Sequence, residues 1–266
     1  MIYIDTHAHL SDEQFGNDIT DIIIRSKEAG VANILMPDVG IEGRDELLAL
    51  CDRYEGYLIP MVGVHPLTLN DRSVDWRREV DEVERLLTEM PKGYFCAVGE
   101  IGLDYHYTTE FKAEQQEAFV ALCELALQHD LPINIHTREA WSDMCDLLEG
   151  FKGRGLRGVS HAFCDTEESY RRISGCGDFL FSIGGVVTFK KSQVAAVVPH
   201  ISLSKLVLET DAPYLTPAPH RGTRNDSTRL ELICRKIAEI KGLNVAAVAA
   251  ETTANARRIF SLKEIL

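Results

Sequence analysis

Two histidines two residues apart, His7 and His9, close the opening stretch Met1-Ile2-Tyr3-Ile4-Asp5-Thr6. That apolar start predicts a buried strand over 2–8, and in a strand the side chains at i and i+2 share a face. Neutral imidazole is a favoured ligand of zinc-like ions, so two rings aimed at one point make half of a transition-metal site. A lone HxH matches by chance often enough to need support. Five further apolar runs supply it: 61–64 ends at His65, 96–99 at Glu100, 131–135 at His136, 156–160 at His161, and 206–208 at Glu209-Thr210-Asp211. A buried charge is costly unless it is paired or metal-bound. Six apolar runs that all end in His, Asp or Glu therefore point to metal ligation rather than surface decoration.

The elements that would carry these ends alternate in period. Strands are expected over 2–8, 32–38, 57–64, 94–101, 132–136, 157–161, 179–184 and 205–211. Helical spacing falls over 17–29, 43–54, 76–90, 112–129, 139–150, 167–175, 191–198 and 227–241. The stripe Phe119, Val120, Leu122, Cys123, Ala126, Leu127 shows the helical repeat most clearly. Eight strand–helix units in 266 residues fit an α/β fold of the (β/α)8 TIM-barrel type, expected as one domain over 1–266. A doubly wound open sheet is the rival. The ligand pattern favours the barrel, because all eight strand ends meet at one mouth there, whereas strands so far apart in order would not converge in an open sheet. More helix is expected from 244 onward, with 255–260 packing across the outside of the barrel. A Pro-, Arg- and Gly-rich loop spans 212–226.

Composition narrows the class. The chain is 45% hydrophobic and 26% charged, an ordinary globular balance. No run approaches the ~18–20 apolar residues of a membrane helix. The N-terminus enters a strand at once, without a basic segment and cleavable apolar stretch, so a cytoplasmic protein with no membrane partner is expected. Seven scattered cysteines without a CxxC pair suit reduced thiols. Cys164, three residues after His161, is expected to be a packing residue. The formal net charge of −13 argues against a broad basic grip on nucleic acid. It leaves room for a phosphate substrate, since bound divalent ions can invert the local field. The segment Gly184-Gly185-Val186-Val187-Thr188-Phe189-Lys190-Lys191-Ser192 looks superficially like a phosphate-binding loop, but no glycine precedes the lysine at the needed spacing.

Taken together, the motifs resemble the TatD family of metal-dependent deoxyribonucleases, within the amidohydrolase-like barrel superfamily. The resemblance runs from Asp5 to Phe260. It rests on DTHAH at 5–9, VGVHP at 62–66, GEIGLDY at 99–105, IHTRE at 135–139, SHAF at 160–163, ETDAPYL at 209–215, HRGTRN at 220–225 and NARRIF at 255–260. It implies two divalent ions, with His7, His9 and Asp211 holding one, His136 and His161 the other, and Glu100 bridging. A histidine and carboxylate set suits Zn, Mn, Fe or Co, and Mg less well. Glu100 stands where many superfamily members carry a carboxylated lysine, which favours the TatD branch. Asp211 is expected to act as the base. His65 is implied as a substrate-phosphate contact rather than a ligand, and the guanidinium forks of Arg138 and Arg224 suit phosphate oxygens. Asp5 and Glu209 are expected to hold ligands in place.

The implied activity is hydrolysis of DNA phosphodiester bonds by a metal-activated water, including 3′–5′ exonuclease action, with nucleic acid as the partner. Deacylation of D-aminoacyl-tRNA is the first alternative. A small-molecule amidohydrolase or phosphotriesterase is the second, and a non-catalytic metal scaffold the third. A monomer is compatible with all of them. Two positions depart from the family pattern: Leu67 follows Pro66 where members often read HPH, and Asn225-Asp226-Ser227 replaces a frequent NEP. Both are expected near the substrate side.

Overall fold

A computed structural model of the chain describes residues 1–263; the last three residues of the expected C-terminal tail lie outside them. Eight parallel strands alternate with helices. The first half runs β1 (Tyr3–Asp5), α1 (Ile19–Glu28), β2 (Val31–Met36), α2 (Arg44–Arg53), β3 (Leu58–Pro60), α3 (Trp76–Glu89), β4 (Val98–Asp104) and α4 (Lys112–Gln128). The second runs β5 (Ile133–Arg138), α5 (Trp141–Gly150), β6 (Arg157–Ser160), α6 (Glu167–Ser174), β7 (Asp178–Ile183), α7 (Gln193–Val197), β8 (Leu206–Leu208), α8 (Leu230–Lys241) and α9 (Val245–Ile259).

The strands pair in chain order as β1-β2-β3 and β4-β5-β6-β7-β8. Parallel bridges join the two groups at both seams, Ala8 to Ala212 and Val62 to Val98. Backbone bonds cross there too: Thr6 N to Leu208 O at 3.0 Å, and Gly99 N to Val62 O at 2.9 Å. The strands thus follow one another around a TIM barrel.

Each expected strand and helix is present, and the differences lie at the ends. β1, β3 and β8 are each three residues long, shorter than the expected strands 2–8, 57–64 and 205–211. The chain bends at Thr6, directly after β1, so His7 and His9 leave the ladder that their i, i+2 spacing suggested. The extended backbone resumes only at the Ala8 bridge. Hydrogen bonding to neighbours stops where the chain turns to deliver side chains to the mouth.

Alternation along the strands sorts two cores. Ile4, Leu35, Val159, Leu180 and Val207 form one apolar cluster with Met61, Cys96 and Ala97. Their strand neighbours Tyr3, Ile34, Met36, Phe179, Phe181, Leu206 and Leu208 belong to the larger cluster shared with the helices. The first set fills the barrel interior, since successive strand side chains point to opposite faces. α8 and α9 pack outside, beside β1 and β8. The last turn of α9 continues beneath the barrel, where Ala256, Ile259 and Phe260 join the inner cluster. Asn255 Nδ2 fixes that turn by donating to Leu203 O and Leu206 O at 2.9 and 2.8 Å.

Six cysteines are buried and all seven are free. Cys164 corrects the expectation: it lies past the end of β6 on a mouth loop and is exposed. Among the described residues no helix is long and apolar enough to cross a membrane.

Candidate metal centre

Above the apolar layer the interior turns polar. Thr6 Oγ1 meets Ser182 Oγ at 3.1 Å, and Asn134 is fully buried on β5. At the mouth, the residues after β1, β3, β6 and β8, together with Glu100 within β4 and His136 within β5, bring His7, His9, His65, Glu100, His136, His161, Glu209 and Asp211 together. Glu100 stands at the centre, 2% exposed.

Its two oxygens face different groups. Oε2 lies 3.2 Å from His7 Nε2 and 3.6 Å from His9 Nε2. Oε1 lies 2.9 Å from His136 Nδ1, 3.0 Å from His161 Nε2 and 3.5 Å from His65 Nε2. On the Oε2 side, Asp211 Oδ1 is 3.8 Å from His7 Nε2 and 3.5 Å from His9 Nε2, and the two Nε2 atoms are 3.2 Å apart. Bonds of about 2.0–2.2 Å to a tetrahedral ion would space donor atoms about 3.3–3.6 Å apart. Five of the six edges among these donors lie at 3.2–3.8 Å, in or close to that range. Glu100 Oε2 is also a buried oxygen without a hydrogen bond. This donor set fits a cation.

Hydrogen bonds on the far side of the His7 and His136 rings set their tautomers. His7 Nδ1 faces Asn134 Oδ1 at 2.8 Å and His136 Nε2 faces Asp104 Oδ2 at 3.0 Å, whereas His161 Nδ1 has Glu209 Oε1 at 3.4 Å, a contact between an ionisable pair without hydrogen-bond geometry. Asn134 and Asp104 favour a proton on the far nitrogen of their rings, so that each ring, when neutral, turns the lone pair of its other nitrogen toward Glu100. His65 is the reverse. Its Nδ1 accepts from Leu67 N at 3.1 Å, so Nε2 carries the proton toward Glu100. His65 sits within ligand distance of Glu100 and His136, yet its tautomer makes it a donor. Leu67 takes part through its backbone only, so its side-chain departure leaves this bond intact.

The field asks for positive charge. Burial pushes the Glu100 carboxyl up, but His7, His65, His161 and His136 outweigh it and hold it well below the usual range. At Asp211 burial is likewise outweighed, by His9, His161 and His7. Burial lowers His161, and Glu209 and Glu100 overcome it to raise that ring well above its ordinary value.

The other predicted residues fall in distinct places. Glu209 Oε1 accepts from Ala162 N at 2.7 Å as well as facing His161. Asp5 reaches His7 only through the backbone N–H, at 3.4 Å. Its carboxylate binds Thr210 N and Oγ1 and Ser227 Oγ at 2.9, 2.6 and 2.7 Å, stitching β1 to the chain after β8 and to the late loop. The departure at Ser227 therefore supplies a buried donor. Burial outweighs these bonds and pushes Asp5 up to about 7. Arg138 is exposed at the end of β5, 5.5 Å over the Tyr107 ring. Arg224 is committed elsewhere. Both its terminal nitrogens bond Asp18, and it covers the Phe15 ring at 4.6 Å, clamping the late loop to the start of α1.

Two supporting residues escaped the sequence reading, Asp104 and Asn134. Both were within its reach. Asp104 lies at i+4 from Glu100 and Asn134 at i−2 from His136, positions that share a strand face with a candidate ligand.

The chain has wide likeness to known proteins. The family model described as TatD related DNase matches residues 4–261. An uncharacterized metal-dependent hydrolase, YabD of Bacillus subtilis, is 32% identical over 97% of this chain and 98% of its own. The 3′-5′ ssDNA/RNA exonuclease TatD of Cronobacter sakazakii is 33% identical over 96% and 97%. The crystal structure of YJJV, a TatD homologue from Escherichia coli, superposes with a TM-score of 0.90 at 26% identity, covering 98% of both chains. With the donor set at the barrel mouth, these matches place the chain in the TatD family of metal-dependent hydrolases.

Proposed function

We propose that the protein hydrolyses phosphodiester bonds of single-stranded nucleic acid, DNA foremost, from the 3′ end, with two divalent ions. The observation that carries this reading is the division of Glu100, one oxygen toward each group of imidazoles. His7, His9, Asp211 and Glu100 Oε2 would hold one ion, and His136, His161 and Glu100 Oε1 the other. When bound, such ions lower the pKa of a coordinated water and polarise phosphoryl oxygens. Asn134, Asp104 and Glu209 keep the ligand rings turned inward.

Asp211 stays ionised at neutral pH because three histidines outweigh its burial, and it accepts the proton that the attacking water gives up. The water oxygen bonds to phosphorus, the bond to the leaving sugar oxygen breaks, and that oxygen takes the proton that Asp211 received. His65 Nε2–H donates to a phosphate oxygen, and Arg138 adds positive charge at the rim. Arg224 has no part in this, being held by Asp18. The exonuclease direction follows the name of the Cronobacter relative.

The test is a turnover panel with Mg, Mn and Zn on single-stranded DNA, duplex DNA, D-aminoacyl-tRNA and a model phosphotriester. End-labelled single-stranded DNA should be shortened from its 3′ end and be the best substrate. Turnover of D-aminoacyl-tRNA with DNA left intact would overturn the reading.

A further inference from the structure

A cavity of about 670 Å³ opens on the same rim, between the loops that follow β6, β7 and β8. Its wall carries Cys164, Phe189, Lys190, Lys191 and Arg221. In a chain of net charge −13, three cations and no carboxylate line it. Most arginines of the protein are committed to acids, as Arg224 is to Asp18. Among the described residues Lys190, Lys191 and Arg221 make no ion pair. Arg221 instead lies 4.1 Å over the Phe189 ring and is itself exposed, a stacked guanidinium with an outer face open.

The wall is fixed to the metal centre. Gly184 lies against Glu209, which faces His161, and Cys164 is three residues beyond that histidine. Thr188 Oγ1 accepts from Ala218 N at 2.8 Å, tying the loop after β7 to the one after β8. Gly185 presses on Leu215 so closely that a Cβ there would meet the Leu215 carbonyl oxygen at 2.0 Å. The cations therefore stand on a braced loop.

We propose that this cavity is a nucleotide subsite for the substrate strand beyond the bond being cut, an inference that rests on the phosphodiesterase reading above. Lys190 and Lys191 pair with successive backbone phosphates, and the Arg221–Phe189 stack is the platform for a base. Single-stranded nucleic acid is held by this combination of cations along the backbone and flat groups under the bases. The strand needs no sequence to be gripped so, because every base has a π face. The segment that fails as a phosphate-binding loop thus uses its two lysine side chains, not its backbone, to meet phosphate.

The probe is a fluorescent, phosphorothioate-protected single strand of roughly 12 nucleotides, bound to the metal-loaded full chain and followed by anisotropy across a salt series. Lys190→Glu with Lys191→Glu should weaken binding roughly ten-fold or more and flatten the log–log salt slope by about 1.4. Arg221→Ala should weaken it about five-fold or more. Lys92→Glu with Lys152→Glu makes the same charge change on exposed residues outside the cavity, and should stay within about two-fold of wild type. Wild type binding the strand while the Lys190/Lys191 pair stays within that margin would overturn the subsite and leave the phosphodiesterase reading standing. Equal weakening by the two pairs would assign the effect to bulk charge and also overturn it. A wild type that neither binds nor cuts the strand would overturn both.

Discussion

The two ends of the barrel interior are buried alike and built in opposite ways. At the bottom, Ile4, Leu35, Leu180 and Val207 meet the last turn of α9 and need no partners. At the top, His7 and Glu100 are as inaccessible, at 0% and 2% exposure, but each polar atom there depends on a neighbour. Burial of the apolar side chains stabilises the fold by about 1.5–3 kcal/mol each. Burial of the polar ones costs free energy, which ligation or hydrogen bonds must offset. Several remain orphaned: Glu100 Oε2, Asn134 Nδ2 and Glu209 Oε2. The same strands therefore hold the fold together at one end and carry a poised, cation-seeking cluster at the other.

Substitutions at the two ends should separate stability from activity. The largest effect is expected at Asp211→Asn, a loss of roughly 10²–10⁴-fold in kcat on the best substrate at saturating metal. Asp211 has a φ of 56°, in the left-handed region that Asn also tolerates, so a thermal melt should show the fold intact. A variant within a few-fold of wild type would remove Asp211 from the chemistry. Leu180→Ala is the mirror case. It should cost about 2–5 kcal/mol in denaturant unfolding while activity per folded molecule stays near wild type; a large loss in kcat at unchanged stability would erase the division between the two ends.

Asn134→Leu comes next. It removes the acceptor behind His7 Nδ1, so metal affinity should fall roughly 10–100-fold. Stability without metal should fall by about 1–3 kcal/mol, because the buried His7 Nδ1 is left without its acceptor. Competitive chelator titration beside urea melts reads both, and unaltered metal affinity would dismiss the tautomer argument. The smallest effect is expected at Ser227→Ala. Asp5, with its carboxyl near 7 in the fold, is charged at pH 8 and neutral at pH 5. A bond donated to the charged form is the stronger one. The variant should thus lose about 1–2 kcal/mol at pH 8 and about half that at pH 5. A loss that shrinks as pH rises through 7 would contradict the burial of Asp5 as a poorly solvated acid.

The fold and the residues gathered at the mouth were legible because both write themselves in local pattern: apolar runs of strand length, helical stripes between them, and a His, Asp or Glu at each run's end. What was not legible is pairing across the chain. Arg224 looked like a phosphate contact because nothing local reveals Asp18, 206 residues away. The bend at Thr6 was hidden because Ile4 and Thr6 continue an acceptable strand pattern, and only neighbouring β2 and β8 decide where the ladder stops. Cys164 seemed a packing residue because its exposure depends on how far the loop after β6 stands off the barrel. Ser227 drew notice as a departure, but its bond to Asp5 spans 222 residues.

The central claim is that Glu100 divides the mouth between two cations that the reaction requires. Bound metal per chain, measured by elemental analysis alongside single-stranded DNA hydrolysis, tests it most directly in wild type, in chelator-treated protein and in Glu100→Ala. Two ions per chain in wild type, loss of hydrolysis on chelation, recovery on adding a divalent ion, and depleted metal in Glu100→Ala are the predicted results. Full hydrolysis by protein shown to be metal-free, or Glu100→Ala retaining both ions while His65→Ala loses them, would contradict it.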